Sequence, residues 1–242
     1  KILRQNERFA SLVENCEDEK EADKVILEEC NIFSNPSYIY FKGSGTITLE
    51  NGNSIKIFSD IPLALSSAAI SKITAFEIVD KKIMTVENLT SFNRIKKTNT
   101  FFIFLSGYHN SAKQIFLKTI FTQNSNKEYY HFGDIDPDGF FILDNLRSKT
   151  QIDFKAYKMG MAELQKYSSY TRPLEENDLR KADSLIAKGK YTEILDYMLK
   201  HNVKLEQEKE ITESYKYVPE PFEIKRNETA KHNEYNFSAS FG

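Results

Sequence analysis

The amino-acid sequence predicts an α/β fold, in which a parallel sheet is covered by helices and follows a smaller mixed α+β region. Three short runs rich in β-branched and aromatic residues, near residues 82–86, 101–105 and 129–132, alternate with helix-like stretches. This alternation is typical of parallel strands joined by crossover helices. Hydrophobic residues make up 40% of the 242 residues and charged residues 28%, a composition that is ordinary for a globular protein with a buried core.

Residues 1–75 are expected to form the smaller region. Its expected elements are an acidic helix over residues 7–30, strands over 38–58 and a short helix over 63–73. Within the strand segment, Asn51-Gly52 separates the alternating runs Thr46–Leu49 and Ile55–Phe58. An Asn-Gly pair between two alternating runs predicts a β-hairpin with a tight turn.

Residues 76–210 are expected to form the sheet and the helices that follow it. In chain order the predicted elements are strand Lys82–Val86, helix Leu89–Lys97, strand Phe101–Leu105, helix Ser111–Phe121, strand Tyr129–Phe132, a helix from about Gly139 and a strand Phe154–Tyr157. Residues 161–210 are expected to be mainly helical, with a break at Arg172-Pro173. Residues 211–242 are polar and are expected to be an extended or disordered tail.

Composition also bears on location. The longest strongly apolar run, Phe101–Leu105, is far shorter than the ~20 residues of a membrane-spanning helix, and no signal peptide is visible. The cysteines Cys16 and Cys30 lack the spacing of a zinc site and suit a reducing compartment, so a cytoplasmic location is expected. Because the chain begins with Lys1 rather than Met, we expect it to be part of a longer protein.

Acidic residues follow two of the predicted strands. Glu87 follows Lys82–Val86, and Asp134 and Asp136 follow Tyr129–Phe132. In parallel α/β sheets, ligands bind at the carboxyl ends of the strands, so these side chains are expected to meet at one edge. Asp134 and Asp136 point the same way if the turn is strand-like. Mg²⁺ prefers such all-oxygen sites, with Mn²⁺ as the alternative ion.

The acidic turn has three other possible interpretations. An EF-hand loop starting at Asp134 needs Glu at its twelfth position, which is Asn145 here, and a preceding helix rather than a strand. A phosphatase of the haloacid dehalogenase type also uses a strand followed by Asp-x-Asp, but it wants Thr or Val where this chain has Asp138. A plain acidic turn without a metal is the third. Glu87 at an earlier strand end favours the metal site.

The net charge of −2 gives no sign of nucleic-acid binding, but its distribution does. Residues 81–118 contain seven lysines and arginines and one acid, Glu87. A lone acid in a basic stretch is expected where a metal-binding carboxylate sits beside a phosphate backbone. His109, Asn110 and Lys113 lie at a predicted helix start, which suits phosphate binding, although Asn110 can equally be an ordinary helix cap.

Other polar residues have simpler interpretations. His131 lies within a predicted strand and is expected to be a core histidine. Asp138 either adds a third metal-binding carboxylate or caps the following helix. Gly139 is expected to allow a tight turn into that helix. Glu206 and Glu208 are expected on a solvated helix face, unless the segment contributes to a site.

The order of these residues resembles a known family. Glu at a strand end, Gly107 at the next and then Asp-x-Asp is the signature of Toprim domains, which are Rossmann-like and occur in topoisomerases, primases and nucleases. The stretches Thr85–Phe92, Ser106–Ser111, Tyr129–Asp136 and Leu205–Glu208 are more closely similar to the JetD subunit of the Wadjet anti-plasmid systems, which is related to the A subunit of type IIB topoisomerases. The resemblance covers about residues 30–210.

The resemblance implies a metal-dependent DNA endonuclease within a defence complex that contains a condensin-like (SMC-type) partner, acting as a homodimer on double-stranded DNA. In that role Glu87, Asp134 and Asp136 would be the catalytic metal ligands, with Asp138 as a further ligand. Glu87 can also serve as general acid or base if its neighbours raise its pKa. Two alternatives stay open, a topoisomerase-like tyrosine transesterase and a non-catalytic docking subunit.

Overall fold

The computed structural model describes residues 6–13, 16, 19–32, 36–59, 61–96, 98–107 and 109–207. Its strands are β1 (Tyr38–Lys42), β2 (Gly45–Leu49), β3 (Ser54–Ile57), β4 (Leu63–Ser66), β5 (Ile73–Ile78), β6 (Lys82–Val86), β7 (Thr100–Phe104), β8 (Glu128–Phe132) and β9 (Lys155–Ala156). Its α-helices are α1 (Ala10–Val13), α2 (Glu19–Glu29), α3 (Leu89–Arg94), α4 (Ser111–Gln123), α5 (Pro137–Thr150), α6 (Met161–Lys166), α7 (Glu176–Ile186) and α8 (Thr192–His201).

A six-stranded sheet forms the centre of the fold, with the strand order β4-β1-β7-β6-β8-β9. Strands β7, β6, β8 and β9 run parallel to one another. On the other side of β7, β1 pairs with it in the antiparallel direction, and β4 pairs antiparallel with β1. Val86 at the end of β6 is in register with Phe104 of β7 and Phe132 of β8. The carboxyl ends of these three strands are therefore level, and β6 lies between the other two.

The central strands are apolar because both of their faces are covered, as in most parallel sheets. On one face Ile83, Phe101 and Ile103 belong to a large core cluster to which α4 and α5 contribute Phe116 and Leu143. On the other face a smaller cluster gathers Met84, Val86, Phe92, Ile95, Phe102 and Phe132, with Phe92 from α3. The sheet is thus fixed on both sides, which gives the loops at its carboxyl end a rigid base.

A second sheet of three antiparallel strands has the order β3-β2-β5. Its hairpin confirms the one predicted across Asn51-Gly52, since β2 and β3 pair there and Gly52 has a φ of 79°. Phe76 of β5 packs edge-on against Phe41 of β1, with ring centroids 6.1 Å apart. The smaller sheet therefore shares its core with the main sheet.

The predicted α/β class is confirmed, and so is each strand and helix predicted between residues 82 and 157 to within a few residues, apart from α3, which ends at Arg94. The break at Arg172-Pro173 is also present, between a short 3-10 helix and α7. One element was wrong. The predicted helix over 63–73 begins as strand β4, because Leu63–Ser66 pairs with β1, and only Ser67–Lys72 turns, as a 3-10 helix.

Strand β5 was not predicted at all. In addition, β1 and β4 lie within the predicted region 1–75 but extend the main sheet. The domain boundaries after residues 75 and 210 stay predictions, and the predicted tail over 211–242 lies outside the described residues. Among the described residues, no helix is both long enough and apolar enough to cross a membrane.

Candidate metal centre

Glu87 and Asp134 meet at the carboxyl end of the parallel strands. The backbone N–H of Glu87 donates to the carbonyl of Phe132, at 3.0 Å, which continues the pairing of β6 with β8 by one residue. The backbone N–H of Asp134 in turn hydrogen-bonds to the Glu87 carboxylate. Local pairing of two adjacent parallel strands thus brings residues together that are 47 positions apart in the chain.

The Glu87 carboxylate is in an unfavourable place for a negative charge. Its Oε2 atom is buried and has no hydrogen-bond partner among the described residues. Burial raises its pKa to about 8, and the nearby carboxylates of Asp134, Asp136 and Asp138 add to this, although the bond from the Asp134 N–H opposes it. Without a counter-ion this site therefore favours a proton on Glu87 near neutral pH.

Asp136 begins helix α5. Its Oδ1 accepts a hydrogen bond from the Gly139 N–H at 2.6 Å, so Asp136 is the helix cap, and Pro137 occupies the first turn. Burial raises the pKa of Asp136 to about 7. The hydrogen bond from Gly139 lowers this pKa, whereas the charges of Asp134 and Asp178 raise it further. Asp136 thus forms a structural hydrogen bond and also belongs to the acidic group, the cluster of Glu87, Asp134, Asp136 and Asp138.

Asp138 does not cap the helix, in contrast to one of its two predicted roles. It lies in the first turn of α5 and forms an ion pair with Lys181 of α7. Its carboxylate is nonetheless close enough to Glu87 to raise the pKa of that residue, as the weakest of the contributing groups. Asp138 therefore stands at the margin of the acidic group.

Two glycines allow the close packing of this loop. A Cβ atom at Gly133 would lie 2.7 Å from Glu87 Oε2 and 2.8 Å from His131 Nε2. A Cβ atom at Gly139 would overlap the backbone carbonyl oxygen of Asp134 and lie 3.1 Å from its carbonyl carbon. The tight turn predicted at Gly139 is thus a close approach of the helix start to the Asp134 backbone.

His131 is fully buried in β8, as predicted for a core histidine, but its Nε2 has no hydrogen-bond partner among the described residues. Its Nδ1 lies 2.9 Å from the hydroxyl of Thr85, which itself donates to the Tyr130 carbonyl at 3.2 Å. The Thr85 oxygen must then accept from His131 Nδ1–H, which leaves Nε2 as an acceptor. Burial lowers the pKa of His131 to about 3, so the ring is neutral beside Glu87.

The late segment 202–207 completes the site. The Gln207 side chain is fully buried; its Oε1 accepts from the Asn88 N–H at 3.0 Å, and its Nε2 donates to the Phe132 carbonyl at 2.5 Å. The Gln207 backbone N–H donates to Asp134 Oδ1 at 2.6 Å. Sequence reasoning missed this residue because it looked for charge in this segment, and the uncharged amide between Glu206 and Glu208 carried no such signal.

Of the two acids next to Gln207, only Glu206 lies within the described residues. Glu206 is ion-paired with Arg172 at the surface, as expected for a solvated position. Glu208 lies outside the described residues.

The three predicted DNA-binding residues lie at the start of α4. Asn110 is its cap and accepts from the Lys113 N–H at 3.0 Å, which matches the simpler of its two predicted roles. The Lys113 ammonium turns back to the carbonyl of Leu105, and burial lowers its pKa. His109 is buried, its ring nitrogens have no partner among the described residues, and burial lowers its pKa.

The basic stretch over 81–118 does not form one surface. Lys82 begins β6, and Glu87 follows its end, so about five residues of strand, roughly 16 Å, separate them. Lys82 pairs instead with Glu128, at 3.7 Å, at the amino ends of β6 and β8. Only part of the predicted basic surface therefore lies near the acidic group.

A buried lysine secures the helix that follows Glu87. Lys42 of β1 donates to the Ile95 carbonyl at 2.9 Å and to the Asn93 carbonyl at 3.4 Å, at the end of α3. Its ammonium also lies 5.0 Å from the centre of the Phe92 ring. Burial, and then the charge of Lys96, lowers the pKa of Lys42 to about 8. β1 thereby holds α3, and with it the Glu87 loop, against the sheet.

The residues present fit a divalent cation by their chemistry. The donors are carboxylate oxygens, and one of them is buried and unpartnered. Among the described residues, however, no three His, Cys, Asp or Glu side chains are already arranged as a metal-binding group. Mg²⁺ needs only one or two direct carboxylates and keeps several waters, so the acidic group at Glu87 and Asp134 meets its requirement.

The raised pKa values predict how stability depends on pH. The folded state binds protons at Glu87 and Asp136 more tightly than the unfolded chain does. The stabilisation that the folded state gains from binding these protons is therefore complete below about pH 4 and is lost as the pH rises to about 8. In chelator-treated buffer, we expect the melting temperature to fall between pH 6.5 and 8, on the order of 5 °C more for wild type than for Glu87→Gln.

Thermal scans at several pH values check this. The range begins at pH 6.5 to keep small the contribution of His131, whose depressed pKa acts in the opposite direction at lower pH and is common to both proteins. Parallel pH curves for wild type and Glu87→Gln would contradict the assignment of a raised pKa to Glu87.

Comparison with known proteins gives a matching family model and a similar protein. The family model described as Wadjet protein JetD, C-terminal, matches residues 42–214, which is more than half of the chain. A Wadjet protein JetD from Bacillus cereus (strain Q1) is 29% identical over 199 residues, covering 78% of this chain and 48% of that protein. The chain thus spans about half the length of this relative. The matched region contains all of the residues of the acidic group as well as Gln207.

Proposed function

Because this chain belongs to the family of the Wadjet protein JetD, C-terminal, we propose that it is the Toprim-type nuclease part of an anti-plasmid defence subunit. In this proposal it is a Mg²⁺-dependent endonuclease that hydrolyses phosphodiester bonds of double-stranded DNA. Its partners would be condensin-like (SMC-type) subunits and a second copy of the chain, since one site cuts one strand. A cytoplasmic location goes with this role.

The buried, unpartnered Oε2 of Glu87 is the observation that carries the proposal. Clustered carboxylates destabilise a fold unless a proton or a cation compensates them. A purely structural role would be better served by a neutral side chain at Glu87. The presence of these carboxylates at the carboxyl ends of parallel strands, where ligands bind in such folds, supports a cation site and argues against a docking subunit without chemistry.

Glu87 and Asp134 would hold the cation, with Asp136 as a third ligand and Asp138 as an outer one. When bound, Mg²⁺ or Mn²⁺ would stabilise the charge that develops on the phosphate and lower the pKa of a water nucleophile. Glu87 has a second role to offer. In the metal-free site burial raises the pKa of Glu87 to about 8, so Oε2 can hold or release a proton near neutral pH, the property required of a general acid or base.

DNA is expected to approach the site from the side of α4. Lys113 is the one charged residue of the three predicted there, and its ammonium lies at the Leu105 carbonyl, at the end of β7. Asn110 contributes through the helix start that it caps, where backbone N–H groups favour phosphate. His109 is buried, so it would support this loop from beneath rather than contact DNA directly.

A tyrosine transesterase is the second candidate, because the related topoisomerase subunits use that chemistry. Tyr38 and Tyr40 precede the site and are exposed. Both lie on β1, which β7 separates from β6, the strand that leads to Glu87. Neither is on a helix aimed at the acidic group. Neither of these two tyrosines is therefore placed to act as the nucleophile at the acidic group.

We expect the full-length protein with its partners to leave free DNA ends. The reaction is stopped by denaturation, protease is omitted, and the products are separated on a gel with and without a later protease step. Protease should change nothing if the cut is hydrolytic. DNA that stays attached to this chain until protease is added would establish the transesterase instead. A parallel reaction with chelator should yield uncut DNA, and cutting in excess chelator would remove the metal from the proposal.

A further inference from the structure

The side chain of Gln207 bridges the two strand ends that carry the acids. Its amide oxygen accepts from Asn88, the residue after Glu87, and its amide nitrogen donates to Phe132, two residues before Asp134. We propose that Gln207 is a positioning residue, which fixes the spacing of Glu87 and Asp134 and so sets their affinity for a divalent cation. This inference rests on the proposed function, because it concerns the same site.

The pairing of the strands explains why such a bridge is needed. The register of β6 with β8 ends at Val86 and Phe132, and the Glu87 N–H adds one more bond, to the Phe132 carbonyl. Beyond that point the two segments separate, since β6 leads into α3 and β8 leads into the Asp134 loop. The Gln207 amide takes the place of the next rung, since it shares the Phe132 carbonyl with Glu87 and also binds the Asn88 N–H.

The backbone of Gln207 acts on the carboxylate itself. Its N–H donates to Asp134 Oδ1 at 2.6 Å, which fixes the orientation of this carboxylate. One residue therefore makes three bonds, one to a ligand and two to the backbone beside the ligands. Groups that orient metal ligands in this way commonly change metal affinity by ~10–100-fold when they are removed.

Gln207 is itself held firmly by the segment before it. Leu205 pairs with Ile135 through two backbone bonds, at 2.8 and 3.0 Å. The Lys204 ammonium binds the buried Asp178 of α7 at 2.7 Å and Glu175 at 3.3 Å. The bridge thus connects the acidic group to α7, and it cannot swing away without breaking these contacts.

The test measures Mn²⁺ binding to the metal-free chain by the electron paramagnetic resonance signal of the free ion, together with the melting temperature. Gln207→Met keeps the volume but removes both side-chain bonds, and we expect it to weaken Mn²⁺ binding by ~10-fold or more. Gln207→Asn keeps an amide that is one methylene too short. It should fall between wild type and Gln207→Met, and it serves if Gln207→Met does not fold.

Leu195→Ala is the matched structural control. Leu195 is fully buried in α8, within the core cluster of the late helices, so its truncation should lower the melting temperature while leaving Mn²⁺ affinity unchanged. Wild-type affinity in the Gln207 variants, or an equal loss in Leu195→Ala, would overturn the positioning role alone. Absence of Mn²⁺ binding by wild type, or full binding by Glu87→Gln, would instead overturn the proposed metal site, and this inference with it.

Discussion

Replacing Glu87 by Gln, or Asp134 by Asn, is expected to reduce DNA cutting by the complete system by ~100-fold or more without unfolding the protein. Both substitutions keep the size of the side chain and remove a negative charge from the proposed metal centre. In metal-free buffer at neutral pH the Glu87→Gln variant should melt at a higher temperature than wild type, because Gln is neutral in both states, whereas Glu87 must take up a proton on folding or carry a charge beside Asp134 and Asp136. Loss of activity together with a gain in stability is hard to explain by misfolding.

Glu128→Gln is the matched control. Glu128 begins β8, at the opposite edge of the sheet from Asp134, and its carboxylate is exposed and paired with Lys82. This substitution should leave both cutting and melting temperature close to wild type. The measurement is plasmid cleavage by the full-length protein with its partners, beside a thermal scan of each variant. Wild-type cutting rates in Glu87→Gln or Asp134→Asn would refute the assignment of the site.

Gly139→Ala is expected to destabilise the fold by ~3 kcal/mol or more, a shift of the melting temperature of roughly 10 °C. The new Cβ atom would overlap the Asp134 carbonyl oxygen, which is backbone and cannot rotate away. Helix α5 must then move from the loop that carries Asp134, and the Gly139 N–H would lose its 2.6 Å bond to Asp136. Cutting should be lost as well.

Gly160→Ala provides the comparison. Gly160 precedes α6, and its Cβ atom would meet only the far end of the flexible Glu163 side chain, at 3.2 Å. This variant should melt within about 1–2 °C of wild type, as most substitutions away from special positions do. Thermal and urea denaturation of the two variants checks both expectations. Similar stabilities for Gly139→Ala and Gly160→Ala would show that α5 can shift away from the Asp134 loop at little cost.

The strands and the positions of the acids could be predicted because each depends on local pattern. The short run Lys82–Val86, which is mostly β-branched or apolar, favours a buried strand, and a parallel register places Glu87 beside the residues that follow β8. Strand β4 could not be found in this way. Leu63–Ser66 is short and has no clear alternation, and its strand form depends on pairing with β1, which lies at least 20 residues earlier in the chain.

The chemistry of individual side chains was harder to predict than their location. Charge alone suggested that the basic stretch over 81–118 faces DNA, but the direction of β6 places Lys82 and Glu87 at opposite ends of that strand. Of the two roles predicted for Asp138, that of helix cap is wrong, since Asp136 caps α5 while Asp138 pairs with Lys181. Such partners are set by packing between α5 and α7, which sequence spacing does not report.

The late bridge through Gln207 has a consequence for the order in which the protein is made. The bond from Asn88 to Gln207 spans 119 residues of chain, so the acidic group cannot reach its final geometry until that residue has left the ribosome. Domains form progressively as their chain is synthesised, and contacts between distant residues come late. A growing or truncated chain that already contains Glu87 and Asp134 but lacks Gln207 would therefore have both acids without their final alignment. Under the proposed function, cation binding and DNA cutting would begin only once Gln207 is in place.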